Sequence, residues 1–235
     1  MKVIVEVVIE IDNKITDIFY KEAGESKLPV IILNAFGDEG IKVWEECQRL
    51  NTKDFILVSV SISETDWNDN MTPWEAPPLY KNDGKYLGYA DKYLRFLGKE
   101  IIPVSRDYIK TNFHKKIEYL GIAGYSLGGL FALYAGYKTD IFKRIVSASG
   151  SLWYPNLAEY IKENKISKNI DKIYFSLGNK EAMSKHRILK TVKEKTISAY
   201  EHLNKNINAI FEENEGNHFK NTALRTAKGI KWILE

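Results

Sequence analysis

Hydrophobic positions follow two rhythms along this chain. Largely apolar runs recur at residues 30–33, 55–62, 119–125, 144–149, 173–177 and 207–211. Runs of this length, bounded by turn residues, read as strands buried on both faces. Between them the spacing is helical: Ile41, Trp44, Cys47 and Leu50; Tyr89, Tyr93, Phe96, Leu97 and Ile101; residues 130–137; Ile188, Val192, Ala199 and Leu203; and Ala223, Ala227, Ile230 and Leu234. Pro103 is expected to interrupt or end the second of these helices, because it has no N–H to donate. At the start, residues 2–11 and 15–20 flank Asp12-Asn13-Lys14 and read as an antiparallel hairpin. Strands alternating with helices predict an α/β architecture. A mostly parallel sheet would be covered on both faces, with antiparallel pairing at its beginning. One domain over residues 1–235 is expected at this length.

Residues 63–88 break the rhythm. They hold Trp67, Trp74, Tyr80 and Tyr86 with Pro73, Pro77 and Pro78, and keep no steady period. Loops of this length in compact domains are usually functional or disordered, and the aromatic content argues against disorder. The stretch reads as an excursion over a binding site, or as a covering loop that packs its rings on the sheet edge.

The apolar run at 119–125 enters Gly124-Tyr125-Ser126-Leu127-Gly128-Gly129, and Leu130 to Ala135 leave with good helix formers. Glycines two before and two after a serine suit a sharp strand-to-helix turn. Side chains at those positions would collide there, and the serine hydroxyl is lifted clear of the sheet. The helix N-terminus beneath it offers free N–H groups to a developing negative charge. Ser126 is therefore the candidate nucleophile.

In such a sheet, working residues gather at the C-terminal ends of the strands. Glu181 follows the run at 173–177, and His218 follows the last strand in Glu-Gly-Asn-His-Phe. Serine, acid, histidine is the order expected with this kind of turn. His218 would take the serine proton, and the acid would fix the imidazole tautomer. Asn179, Glu213 and Glu215 stand as alternatives to Glu181, as does a serine–histidine pair with no acid. The N–H of Leu127 is the first expected oxyanion donor, and Ala35 or Phe36 the second. Tyr125, Trp153, Trp74 and Trp67 are the candidate substrate-binding residues.

Composition narrows the partners. A net charge of +3 argues against nucleic acid or an anionic membrane surface. Cys47 stands alone, which excludes an intrachain disulfide and a cysteine-based zinc site. Neither a metal nor an organic cofactor is expected. Glu6 and Glu10 interrupt the apolar N-terminus, no run approaches the roughly 18 apolar residues of a membrane span, and a cytoplasmic location is expected. The partner would be a small-molecule ester.

Together, three stretches carry a family resemblance: Gly-Tyr-Ser-Leu-Gly-Gly-Leu with its Ala/Tyr-rich helix, Ser-Gly-Ser-Leu-Trp ending at Trp153, and Gly-Asn-His-Phe before a final helix. With Thr72-Pro73-Trp74 and Ile101-Ile102-Pro103, they make the chain resemble the Putative esterase family of α/β-hydrolases. That family includes esterase D-type enzymes and enterobactin-type siderophore esterases. The resemblance implies an α/β-hydrolase fold and a Ser126–His218 hydrolase with Glu181 at the acid position. At this length the extra N-terminal domain of some siderophore esterases is not expected. Where the family commonly has His-Gly, this chain has Asn34-Ala35-Phe36-Gly37. The reading is a serine esterase for siderophore-type or short-chain esters. An acyltransferase or thioesterase using the same intermediate, and an inactive fold serving as a binding module, are its competitors.

Overall fold

The computed structural model describes residues 4–11, 14–22, 24–80 and 84–235. Its strands are β1 (Ile4–Ile11), β2 (Lys14–Lys21), β3 (Lys27–Phe36), β4 (Ile56–Ile62), β5 (Lys116–Tyr125), β6 (Arg144–Ala148), β7 (Lys172–Gly178) and β8 (Asn208–Asn214). They form one eight-stranded sheet in the order β1-β2-β4-β3-β5-β6-β7-β8. β1 and β2 pair antiparallel, as do β2 and β4, and every pair from β4 to β8 is parallel. The tip of the hairpin, Asp12-Asn13, lies outside the described residues.

The helices are α1 (Glu39–Arg49), α2 (Glu64–Asn70), α3 (Ala90–Phe96), α4 (Ile102–Asn112), α5 (Leu127–Lys138), α6 (Leu157–Glu163), α7 (Val192–Leu203) and α8 (Thr222–Leu234). Alternate residues of β3 explain why its run is apolar throughout. Leu28, Val30 and Ile32 enter one core with α5 and α3, while Ile31, Leu33 and Ala35 enter another with α1 and α8. A strand covered on both faces has no position left for a polar side chain facing water. Among the described residues, no helix is long and apolar enough to cross a membrane.

Pro103 does not end its helix. A π-turn over Leu97–Ile101 joins α3 to α4, and Pro103 falls in the first turn of α4. There the Ile102 N–H reaches back to Leu97 O. Widening the ladder by one residue makes room for the ring and for its missing donor.

The excursion at 63–88 is partly ordered as helix. Ser63 caps α2 by accepting from the Asp66 N–H at 3.3 Å, and Ala76 and Tyr86 form an antiparallel bridge. Trp74 anchors the stretch by donating from Nε1 to Pro155 O at 3.0 Å, while the Tyr154 hydroxyl donates to Trp74 O at 2.6 Å.

Candidate active site

β5 delivers Ser126 to the C-terminal edge of the sheet and α5 leaves from it. Ser126 has φ 57° and ψ −121°, a backbone region that costs a non-glycine residue about 1–3 kcal/mol and persists only when its surroundings enforce it. Here they do. The Ser126 N–H donates to Ala148 O at 3.1 Å, and Ser126 O accepts from the Ser151 N–H at 2.9 Å. The turn closes so tightly that a Cβ on Gly124 would sit 2.3 Å from Gly128 C and O.

His218 reaches Ser126 from the loop after β8. Its Nε2 lies 2.9 Å from Ser126 Oγ, and its Nδ1 lies 2.7 Å from Glu181 Oε2. The Ser126 hydroxyl, the imidazole and the carboxylate thus form one chain of hydrogen bonds. Glu181 follows β7, and its side chain is only 4% exposed. Its Oε1 accepts from the Gly178 N–H at 2.6 Å, the Ser149 hydroxyl at 2.8 Å and Arg225 Nη1 at 3.0 Å. Burial pushes the Glu181 carboxyl upward, but the hydrogen bond and charge of His218, with the bonds from Gly178 and Ser149, outweigh it. The carboxyl ends below its ordinary value.

The other candidates for orienting the imidazole are engaged elsewhere. Asn179 Oδ1 accepts from the Gly216 N–H, Glu213 pairs with Lys193, and Glu215 pairs with Lys220.

A cavity of about 550 Å³ opens over Ser126. Trp67, Tyr86 and Trp153 form aromatic wall, and Leu127, Leu79, Leu189 and Val192 add apolar surface. Lys180, Asn217 and Ser151 supply polar atoms, and Ser151 Oγ lies 3.4 Å from Ser126 Oγ. The 63–88 stretch thus supplies part of the wall. His186 Nε2, 2.8 Å from Leu79 O, ties that stretch to the segment after β7.

Two of the expected substrate-binding residues lie elsewhere. Trp74 packs among Tyr134, Tyr154 and Tyr160. Its ring is needed to anchor the excursion and does not line the cavity. The hydroxyl of Tyr125 donates to His218 O at 2.7 Å, so that phenol holds the histidine loop.

Backbone direction separates the two oxyanion candidates on β3. The Gly37 N–H donates across to Ile62 O on β4. Successive N–H groups of a strand point to opposite sides. Ala35 therefore also turns its N–H toward β4, and Phe36 turns its own toward β5, past the last β3–β5 pair at Asn34–Gly124. Ala35 is thereby set aside as a donor. Three residues on, burial holds the Glu39 carboxyl above its ordinary value against the lowering effect of Lys42. Leu127 is the first residue of α5, where N–H groups have no intrahelical partner. Among the described residues, no group of three or more His, Cys, Asp or Glu is gathered so that it could hold a metal ion.

The family model described as "Putative esterase" matches residues 13–220. The chain belongs to that family. A curated relative of this esterase-family chain, "Uncharacterized protein YbbA" of Bacillus subtilis (strain 168), is 30% identical over 148 residues, which is 63% of this chain. The chain spans 58% of the length of that relative. Among solved structures, "Siderophore hydrolase EstA from Aspergillus nidulans" superposes with a TM-score of 0.75 at 17% identity, covering 98% of this chain and 94% of the other. An "IroE-like serine hydrolase" from Shewanella oneidensis gives 0.74 at 17% identity, covering 99% and 80%. These likenesses show the α/β-hydrolase fold.

The periodic reading of this esterase-family chain missed Arg225, which is 1% exposed and pairs with Glu181. It lies on α8, whose apolar stripe gave the helix away and left the arginine looking like a solvent-facing residue. It also missed α2, although Ser63 with Asp66 three residues later is a capping signal that could have revealed it.

Proposed function

We propose that this chain is a serine hydrolase that cleaves carboxylic esters through an acyl-Ser126 intermediate. The observation that carries the reading is His218, whose two ring nitrogens lie 2.9 Å from Ser126 Oγ and 2.7 Å from Glu181 Oε2. A neutral hydroxyl is a poor nucleophile at pH 7, and an imidazole within hydrogen-bond reach removes that obstacle.

Ser126 Oγ attacks the ester carbonyl carbon while its proton passes to His218 Nε2. Glu181 accepts from Nδ1 and stabilises the imidazolium. Charge collecting on the carbonyl oxygen is met by the N–H groups of Leu127 and Phe36. His218 then gives its proton to the departing alcohol. Water repeats the sequence on the acyl-enzyme, freeing the acid.

Membership of an esterase family supports a small-molecule ester as substrate. The cavity wall of Trp67, Tyr86 and Trp153 favours an apolar or aromatic acyl group, and Lys180 favours an anionic feature beside His218. Siderophore-type esters, in keeping with a structural neighbour that is a siderophore hydrolase, and short-chain esters both fit these features. The reaction requires no cofactor, and we place it in the cytoplasm. A fluorophosphonate probe tests the reading: Ser126 is expected to be labelled to about one equivalent per chain and His218→Ala to abolish labelling. An unlabelled wild-type serine would leave a hydrolase fold serving only to bind.

A further inference from the structure

Arg225 lies in the first turns of α8 with 1% of its surface exposed, a rare place for a guanidinium. Its head group joins the end of β5 to the segments that follow β6, β7 and β8. Nη1 lies 3.0 Å from Glu181 Oε1, 3.1 Å from the Tyr125 hydroxyl and 3.2 Å from the Ser149 hydroxyl. Nη2 donates to the carbonyls of Glu215 and Asn217, each at 3.0 Å. Those two carbonyls belong to the loop that carries His218. The Tyr125 hydroxyl, next to Ser126 in sequence, donates onward to His218 O at 2.7 Å. Space for the guanidinium is kept by Gly178, where a Cβ would stand 2.8 and 2.9 Å from the two terminal nitrogens.

Stability alone does not account for this arrangement. A buried ion pair is often no better for folding than apolar residues of similar volume. Among the described residues, this one also leaves Arg225 Nε buried with no hydrogen-bond partner. What the side chain does achieve is alignment of the segments bearing Ser126, Glu181 and His218.

We propose that Arg225 is a positioning residue for ester cleavage. It brackets the loops of Tyr125, Glu181 and His218, and its charge weakens the hold of the Glu181 carboxylate on a protonated His218. The inference rests on the serine-hydrolase reading above. Its electrostatic part follows from which groups face the guanidinium. Glu181 meets it from the segment after β7, Tyr125 from β5, and the Glu215 and Asn217 carbonyls from the loop after β8. The Glu215 carboxylate turns outward to Lys220, and on α8 itself Lys228 is taken up by Glu212. Removing the cation leaves Glu181 as the nearest full charge on the imidazole. The imidazolium becomes easier to form, so the acid limb of the pH–rate profile moves to higher pH.

The test compares wild type, Arg225→Met and Arg225→Lys, with active sites counted by fluorophosphonate titration and kcat followed over about pH 5 to 9. For Arg225→Met, kcat per titrated site is expected to fall about 100-fold with KM within about twofold. Its acid limb should rise by about one pH unit. Arg225→Lys keeps the charge, so its limb should stay within about 0.3 unit of wild type while kcat falls about tenfold. That variant carries the test by itself if the methionine variant does not fold, and a wild-type kcat for it would overturn the bracket. Wild-type kcat per titrated site with an unmoved limb in Arg225→Met would overturn the whole inference, even if melting temperature fell. An inactive Ser126→Ala beside such an Arg225→Met sinks the inference alone. An active Ser126→Ala sinks it together with the reading beneath it.

Discussion

Ser126→Ala is expected to lower kcat/KM for p-nitrophenyl acetate or butyrate by about 10⁴-fold or more. The neighbouring hydroxyl of Ser151 is not placed to replace it. Ser151 Oγ lines the same cavity 3.4 Å away, but the imidazole Nε2 is directed at Ser126 Oγ. Folding should hardly notice the change. Alanine and serine bear a φ of 57° equally badly, and the backbone bonds to Ala148 and Ser151 do not involve the side chain. Stability in a denaturant titration should therefore stay within about 1 kcal/mol of wild type. Equal activity in the two proteins would remove Ser126 from the chemistry.

Glu181→Gln should cost almost as much, for a reason that lies in proton placement. Three donors converge on Glu181 Oε1, from Gly178, Ser149 and Arg225. The amide oxygen of a glutamine must therefore take that position, which turns its NH₂ toward His218 Nδ1. Nδ1 would then have to accept, the ring proton would move to Nε2, and Nε2 could no longer take the serine proton. A loss of about 10³- to 10⁴-fold in kcat with little change in KM is expected.

The same substitution leaves the Arg225 cation buried without its counter-charge, at a cost of about 3 kcal/mol. The folded-state carboxyl of Glu181 titrates below its ordinary value of 4.5. Its contribution is therefore complete above that value and is lost as pH falls through the folded one. The gap in melting temperature between wild type and Glu181→Gln should be constant near neutrality and should narrow below about pH 4.5. A gap that widened in acid would contradict the description of this pair.

The fold was readable where burial on both faces leaves no choice of residue. Runs such as Val30 to Leu33 announce themselves because neither side of the strand meets water. The turn at Ser126 was readable because the Gly124–Gly128 approach is steric, and steric demands leave their mark on sequence. Reasoning from strand ends and chain order brought Glu181 and His218 forward, and the structure sets His218 against Ser126 and Glu181 against His218.

Features that depend on tertiary packing left weaker traces. Helices α2 and α6 have seven residues each, too few for a period to stand out. The direction of each aromatic ring in the excursion is fixed by its neighbours, so Trp74 looked like Trp67 although only Trp67 reaches the cavity. The choice between Ala35 and Phe36 turned on which side of β3 each N–H faces, and that needs the β4 pairing. Arg225 is charged for reasons lying on four other segments, none of them near it in the helical pattern.

The most direct test is to trap the reaction in progress. The protein would be mixed with a p-nitrophenyl ester, quenched in acid at early times, digested and mapped by mass spectrometry. The account predicts an acyl group on the peptide holding Ser126, rising before steady state, decaying at the rate of turnover and absent from Ser126→Ala. Turnover with that peptide unmodified at every time point would contradict it.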